Sequence, residues 1–162
     1  MSRTLPLTAP GKYLAFAYVV DGAVGAGCRN QRDDVLLVQF FLRVLGPQTV
    51  PRTKETFLPQ GGPPLAIDGV CGQRTIAAIK TFQAQYNKAV GDPADQSHLA
   101  QDGVVHPIEQ GSPFGRRSNH VLTIIRLNTE YTFQFGLDRQ KRIDMDPLFP
   151  RELFNKLFLA GS

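Results

Sequence analysis

The stretch LAIDGVCGQRTIAAIKTFQ, residues 65–83, decides the fold of this chain. Asp68 and Gly69 predict a turn, because glycine accepts a positive φ and the aspartate carboxylate can accept hydrogen bonds from N–H groups just downstream. After Gly72 the apolar residues recur at steps of three and four, which predicts an amphipathic helix. One face of this helix carries Thr75, Ala78, Ile79, Phe82 and Tyr86.

These residues resemble the pattern D-G-x-x-G-x-x-T-x-x-A-I-x-x-F-Q of the peptidoglycan-binding-like domain, a three-helix module of bacterial and phage cell-wall proteins. The matching positions are Asp68, Gly69, Gly72, Thr75, Ala78, Ile79, Phe82 and Gln83. Residues 24–42 are similar to the opening helix of a subgroup of these domains, in which V-Q ends the first helix and F-Q ends the second. Gln39 and Gln83 would then be a matching pair, and we expect each buried glutamine to bond backbone groups of the neighbouring turn.

The resemblance implies a mainly α fold with a three-helix peptidoglycan-binding-like core over residues 24–127. The chain departs from the family pattern in a longer third segment and an extra C-terminal helix, so residues 128–162 form a C-terminal extension. The length suits a single domain, residues 1–162. We expect an added N-terminal β-strand over residues 12–20, where β-favouring residues cluster, and a loosely ordered lead-in over residues 1–10.

Residues 30–45 predict the first helix, with Asn30 or Asp33 as its cap. Apolar residues occupy nearly the whole circumference of this helix, so other parts of the protein must cover it on more than one side. We expect Phe40 and Phe41 to be covered by the terminal segments; the alternative is a homodimer contact through the same two residues.

The rest of the chain predicts two more helices. One begins near Ser118 as its cap and ends at Gly136, and the last has Pro150 in its first turn, with a charged link over residues 138–142 between them. The last helix would pack Leu153, Phe154, Leu157 and Phe158 inward.

Two further D-G pairs, Asp21–Gly22 and Asp102–Gly103, repeat the turn of residue 68, which predicts that several helices are entered in the same way. Three long loops, residues 46–64, 87–101 and 107–118, are where a small helical core would build a binding surface.

The net charge of +4 and pI near 9.3 favour anionic partners. The basic cluster Arg139, Lys141 and Arg142 follows a helix C-terminus, where the helix dipole stabilises cations. The dipole is a sufficient explanation of the cluster, so we do not expect a nucleic-acid partner. No apolar run is long enough to span a membrane, and residues 13–20 lack a leader's cleavage site. We therefore expect either a cytoplasmic protein or one exported to the cell envelope by a leaderless route.

No catalytic constellation, metal-ligand spacing or cofactor motif is present. His98, His106 and His120 do not show zinc-hydrolase spacing, and we interpret them as ordinary surface or turn residues. Cys28 and Cys71 are either two small buried thiols or a disulfide that joins two turns.

The candidate ligand-binding residues are Asp68, Gly69, Gln73 and Arg74. Gln73 and Arg74 lie at the first turn of the second helix, where a carboxylate is favoured; the alternative is a solvated helix face. Asp68 and Asp102 are explained either as turn carboxylates or as ligand contacts. By resemblance, the chain is a non-catalytic module that binds the stem peptide of peptidoglycan. The alternative is a docking scaffold of a secretion or phage apparatus, which binds a protein partner.

Overall fold

A computed structural model describes residues 3–6, 16–91, 98–108, 116–117 and 120–159 of the chain. Its fold is mainly helical, as the sequence predicts. The helices are α1 (Arg32–Leu45), α2 (Gln73–Val90), α3 (Thr123–Phe135), α4 (Leu137–Lys141) and α5 (Arg151–Phe154). A 3₁₀ turn, Ile143–Met145, follows α4, and a π turn, Asn155–Leu159, continues α5. In this part of the chain no helix combines the length and the hydropathy that a transmembrane span requires.

Short antiparallel strand pairs accompany the helices in the described chain, and the pair β3–β4 joins segments about 80 residues apart. The strands are β1 (Arg3–Pro6) with β2 (Phe16–Val19), β3 (Val24–Gly25) with β4 (Val104–Val105), and β5 (Arg116–Arg117) with β6 (His120–Val121). The strand predicted over residues 12–20 is confirmed over residues 16–19, while residues 12–15 lie outside the described part. The prediction of a loosely ordered lead-in is wrong for residues 3–6. Their backbone N–H and C=O groups pair with those of β2, which orders the segment. The composition of residues 3–6 does not reveal this partner.

Helix α1 lies at the centre of the hydrophobic core. Phe40 and Phe41 are both fully buried. The Phe40 ring lies 5.9 Å from that of Tyr131 on α3 and 5.2 Å from that of Phe149, and Phe41 also packs 5.9 Å from Tyr131. The expected cover by the C-terminal part of the chain is confirmed, and both rings are buried without a second chain.

The start of α1 differs from the prediction. Its N-cap is Gln31, with no capping side chain. Asn30 instead takes a positive φ of 50° and uses its amide on the preceding loop, accepting from the Gly25 N–H at 2.8 Å and donating to the Gly25 carbonyl at 2.9 Å. Asp33 pairs with Lys156 at 2.6 Å. Both predicted caps are therefore used for contacts outside the helix.

Helix α3 ends at Gly136, whose φ is +91°, as predicted. Its N-cap is Leu122 rather than Ser118, which lies outside the described residues. The expectation of a plain link over residues 138–142 is wrong: Gly136 lets the chain turn and α4 starts at the next residue. The buried side of α4 is Gln140, whose carbonyl accepts the Tyr18 hydroxyl at 3.0 Å.

The C-terminal segment packs back on the core. Pro150 is the N-cap of α5 and not a residue of its first turn, because the helix begins at Arg151. Leu153 is fully buried, and Phe154, Leu157 and Phe158 pack against the core while partly exposed. The predicted apolar face of the last helix is therefore confirmed.

The Asn128 side chain on α3 links that helix to β2 by hydrogen bonds. It accepts the Tyr18 N–H at 2.8 Å and donates to the Tyr18 carbonyl at 2.8 Å. Asn128 is fully buried, so these bonds also satisfy a polar group that burial would otherwise penalise.

The loop over residues 46–64 is not a featureless connection. Thr49 and Thr56 form an antiparallel bridge, which folds the loop back on itself. Val50 and Phe57 are buried, and the Phe57 ring lies 5.0 Å from that of Phe82 on α2. The rest of the loop, residues 58–64, then runs alongside α1 and α2.

Candidate functional site

A buried glutamine holds the turn that precedes α2. We call its contacts the Gln39 network. Gln39 is 1% exposed; its amide nitrogen lies 3.0 Å from Asp68 Oδ1, from the Val70 carbonyl and from Thr75 Oγ1. Its oxygen accepts the N–H groups of Asp68 at 3.1 Å and Gly69 at 2.8 Å. The expectation that this glutamine bonds the neighbouring turn is confirmed.

The Asp68 carboxylate closes the same turn. It accepts the Val70 N–H at 2.9 Å, and this bond, followed by the Gln39 bond, lowers the pKa of Asp68 below its ordinary value. Gly69 has a φ of +75°, and a Cβ there would lie 2.8 Å from the Arg32 guanidinium. The backbone conformation therefore favours glycine at this position, and a larger residue would also have to displace the Arg32 side chain.

The same arrangement recurs around Gln83, which we call the Gln83 network. The Gln83 nitrogen bonds Asp102, the Val104 carbonyl and Thr123 Oγ1 at 3.0–3.2 Å, and its oxygen accepts the Gly103 N–H at 2.9 Å. Gly103 has a φ of +71°. The predicted pairing of Gln39 with Gln83 is confirmed as a repeated hydrogen-bond arrangement.

Asp102 carries one further contact, with His106 at 2.8 Å. Burial acts to raise the pKa of Asp102, but hydrogen bonds from His106, Val104 and Gln83 outweigh it and lower the pKa below its ordinary value. The role of a turn carboxylate is thus sufficient for Asp102 as well as for Asp68.

The first D-G pair does not repeat this turn. Gly22 is not among the glycines with positive φ, and the N–H groups of Asp21 and Gly22 donate to the fully buried carboxylate of Asp34 at 3.1 and 2.9 Å. The prediction of a common turn is therefore wrong for residues 21–22 and right for residues 102–103.

A groove of about 550 Å³ lies between the end of α1, residues 58–65 and the first half of α2. The loop wall contains several prolines and glycines, and the α2 wall presents small side chains. The lining includes Arg43, Gly61, Gly62, Arg74, Ala77 and Thr81. Because proline fixes φ, the prolines restrict the backbone of the loop wall. The glycines have no side chain to fill the groove.

Two guanidinium groups give the groove its charge. Arg74 is exposed and donates from Nη2 to the Pro63 carbonyl at 2.6 Å, and the half-buried Arg43 donates from Nη1 to the Leu65 carbonyl at 2.9 Å. A guanidinium has five N–H donors, so both groups keep donors beyond these loop contacts. Among the described lining residues none carries a carboxylate, an imidazole or a thiol. The groove can therefore attract an anion while its apolar walls contact short aliphatic groups.

The structure separates the four predicted ligand-binding residues. Arg74 lines the groove, whereas Asp68 and Gly69 belong to the Gln39 network on another side of the turn. Gln73 is exposed at the start of α2 and does not line the groove. Sequence reasoning missed Arg43, whereas the loop wall lies largely in residues 46–64, a loop that it had named as a place for a binding surface. The available signal for Arg43 was that Gln39 and Arg43 are the polar positions within the otherwise apolar residues 35–45 of α1.

The other candidate residues do not assemble into a reactive centre. The described residues contain no group of three or more His, Cys, Asp or Glu side chains that could hold a metal ion. Cys28 and Cys71 are free and partly exposed, so the expectation of buried thiols is corrected to half-buried ones. Arg139 bonds Asp146 at 3.2 Å, a local partner that the sequence had not indicated for the basic cluster.

No protein-family model, curated protein or solved structure matches this chain.

Proposed function

We propose that this chain is a non-catalytic module that binds the stem peptides of bacterial peptidoglycan, with the ligand seated in the groove. In this proposal α1, α2 and α3 form the three-helix core that the sequence resemblance implies. Residues 58–65 and the first half of α2 supply the ligand surface.

The observation that carries the proposal is the charge of the groove. Arg43 and Arg74 lie on its walls with spare N–H donors, and no acidic residue lines it among the described residues. Stem peptides are short, rich in carboxylates and bear small aliphatic side chains. A guanidinium matches a carboxylate in charge and geometry, and the alanine and proline walls match the aliphatic groups.

The lining residues also support a binding role rather than a chemical one. Thr81 is the lining residue with a hydroxyl, and that hydroxyl donates to the Ala77 carbonyl at 2.9 Å within α2. No general base or metal-ligand set stands beside it in the described lining. A groove of this kind holds its ligand without activating it.

Retention on purified sacculi tests the proposal. We expect the wild-type protein to bind at low salt and to elute as salt rises, because exposed charge pairs are screened over about 8 Å at physiological ionic strength. Arg74→Glu should weaken retention strongly by reversing a groove charge. Ala77→Glu provides a second test, since it places a carboxylate on the groove wall about one turn after Arg74 and so reduces the positive charge there.

Lys141→Glu is the matched control. It makes the same change of charge on α4, which contributes no residue to the groove. Retention of this variant should equal that of wild type. If Arg74→Glu and Lys141→Glu lose retention equally, attraction by net charge replaces groove binding as the explanation.

A protein-docking scaffold is the second candidate function. It is favoured by apolar side chains exposed near the C-terminal half of the described chain, namely Phe133 at 68% and Met145 at 67% exposure. Side chains of this size are more often placed at protein interfaces than left in water. Correctly folded wild-type protein that is not retained on sacculi at low salt would support this alternative and refute wall binding.

A further inference from the structure

Residues 59–64, which we call the flap, form the exposed part of the loop wall. Both ends of the flap are anchored: the Leu58 N–H donates to the Gly46 carbonyl at 3.0 Å, and Leu65 is buried. All the residues between these anchors are exposed. The backbone of the flap makes no hydrogen bond to the backbone of another described residue. The position of the flap therefore depends on side-chain contacts.

Arg74 holds the flap against α2. Its Nη2 donates to the Pro63 carbonyl at 2.6 Å and to the Pro64 carbonyl at 3.4 Å. The Gln60 side chain bonds the carbonyl of a loop neighbour at 3.3 Å. Within the described part of the chain, the two Arg74 bonds are thus the hydrogen bonds that join the flap to a helix.

The flap also has room to move. Gly61 has a φ of +94°, and a Cβ at Gly61 or at Gly62 would meet no atom within 4 Å. Adjacent glycines allow backbone rotations that other residues resist. Loss of the Arg74 bonds should therefore let the flap move away from α2.

The Arg74 nitrogen that holds the flap is also needed for a bidentate contact with a carboxylate. A guanidinium offers Nε with Nη2, or Nη1 with Nη2, as a pair of parallel N–H donors, so Nη2 belongs to both pairs. Arg32 shows the first pair in this protein, because its Nε and Nη2 bond the two oxygens of Glu152 at 2.9 and 3.1 Å. A carboxylate can contact the spare donors of Arg74 singly, but a bidentate contact competes with the flap carbonyls for Nη2.

We infer that Arg74 is a latch, which holds the flap in the free protein and releases it when a ligand carboxylate binds the guanidinium through Nη2. The ligand in this inference rests on the proposed function. A carboxylate is a charged acceptor, so its hydrogen bond with a guanidinium is stronger than that of a neutral carbonyl. A neutral amide has no such advantage over the flap carbonyls and does not release the flap. Release is therefore specific to acidic ligands.

The latch is tested in the free protein by backbone amide relaxation of Gln60, Gly61 and Gly62. Their order parameters should lie near the rigid value of about 0.85 in wild type and should fall below about 0.6 in Arg74→Met. Lys80→Met is the matched control, because it removes one positive charge from an exposed position of α2 outside the groove lining and should leave the wild-type values unchanged. Values below about 0.6 already in wild type, or unchanged values in Arg74→Met, would overturn the inference.

The release is tested by adding a synthetic stem peptide to wild type and following the carbonyl carbon chemical shift of Pro63, which responds to loss of its hydrogen bond. The peptide should move this resonance in the same direction as Arg74→Met does, and the peptide with amidated carboxylates should not. Equal movement with the amidated peptide would contradict the preference for charged acceptors.

The same titration separates this inference from the proposed function. If the peptide shifts the amides around Arg74 and Ala77 but leaves the Pro63 carbonyl in place, release is refuted while the proposed function stands. If it shifts neither at millimolar concentration, the proposed function and the release are both refuted. The order parameters of the free protein then still decide whether Arg74 holds the flap.

Discussion

Replacing Gln39 with leucine tests whether the Gln39 network fixes the junction between the turn and α2. Leucine has a similar size but no polar atom, so Gln39→Leu removes the partners of the buried Gly69 N–H and of the Thr75 hydroxyl. An unsatisfied buried polar group costs about 1–3 kcal/mol, so these two groups together should lower the free energy of unfolding by about 2–6 kcal/mol. The groups of Asp68 and Val70 that bond Gln39 are more exposed. They can form hydrogen bonds with water in the variant, so they should add little to the loss of unfolding free energy.

Urea unfolding followed by far-ultraviolet circular dichroism measures this loss. Gln73→Leu is the matched control, because it makes the same substitution at the first residue of α2, where the side chain is exposed. It should change the free energy of unfolding by no more than about 0.5 kcal/mol. Gln83→Leu should cost about as much as Gln39→Leu, since it breaks the equivalent network. If Gln39→Leu unfolds at the same urea concentration as Gln73→Leu, the network does not hold the fold as described.

Three further predictions concern the turn and the core. Gly69→Val should cost more than about 2 kcal/mol, because the φ of +75° is strained for a β-branched residue and the Arg32 side chain is too close; an unchanged melting temperature would contradict this. Asp68→Ala should cost about 1–2 kcal/mol at neutral pH. Since folding lowers the pKa of Asp68, its contribution is present above the ordinary value of 3.8 and is lost as pH falls through the folded value, so wild type and variant should converge in acid unfolding curves. Deleting residues 143–162 should uncover Phe40 and increase binding of an apolar dye, and unchanged dye binding would count against the cover described above.

The local patterns of the sequence were sufficient where one segment determines its own structure. The turn at Asp68 and Gly69 could be predicted because a positive φ and a downstream N–H are properties of adjacent residues. The all-round apolar character of α1 likewise required cover for Phe40, and Phe149 supplies part of it. The role of Gln39 followed from resemblance and from the rule that buried amides are hydrogen-bonded.

Several failures share one physical cause: a side chain or strand bonds a partner outside its own helix or strand. Asn30 is a good capping residue, yet its amide bonds Gly25. Asp34 lies in the first turn of α1, where the helix dipole favours a carboxylate, but it accepts hydrogen bonds from the N–H groups of residues 21 and 22. Arg3 pairs with Val19 in the β1–β2 sheet, and the local propensities of the two segments do not reveal that they pair with each other.

The candidate groove could be predicted only in part. Arg74 was identified because it follows the turn and starts a helix. Arg43 was not, because its place on the groove depends on residues 58–65 folding back between α1 and α2. That path is set by the Thr49–Thr56 bridge and the burial of Phe57, which are contacts of tertiary structure.

The most direct test of the central claim is a titration of isotope-labelled protein with a synthetic stem peptide, followed by backbone amide chemical shifts. Groove binding predicts saturable shifts concentrated in the non-proline residues of 58–65 and around Arg74 and Ala77, and much smaller shifts with the same peptide after its carboxylates are amidated. Equal shifts with both peptides, shifts confined to other surfaces, or no shifts at millimolar peptide would contradict the assignment of the groove as a site for peptide carboxylates.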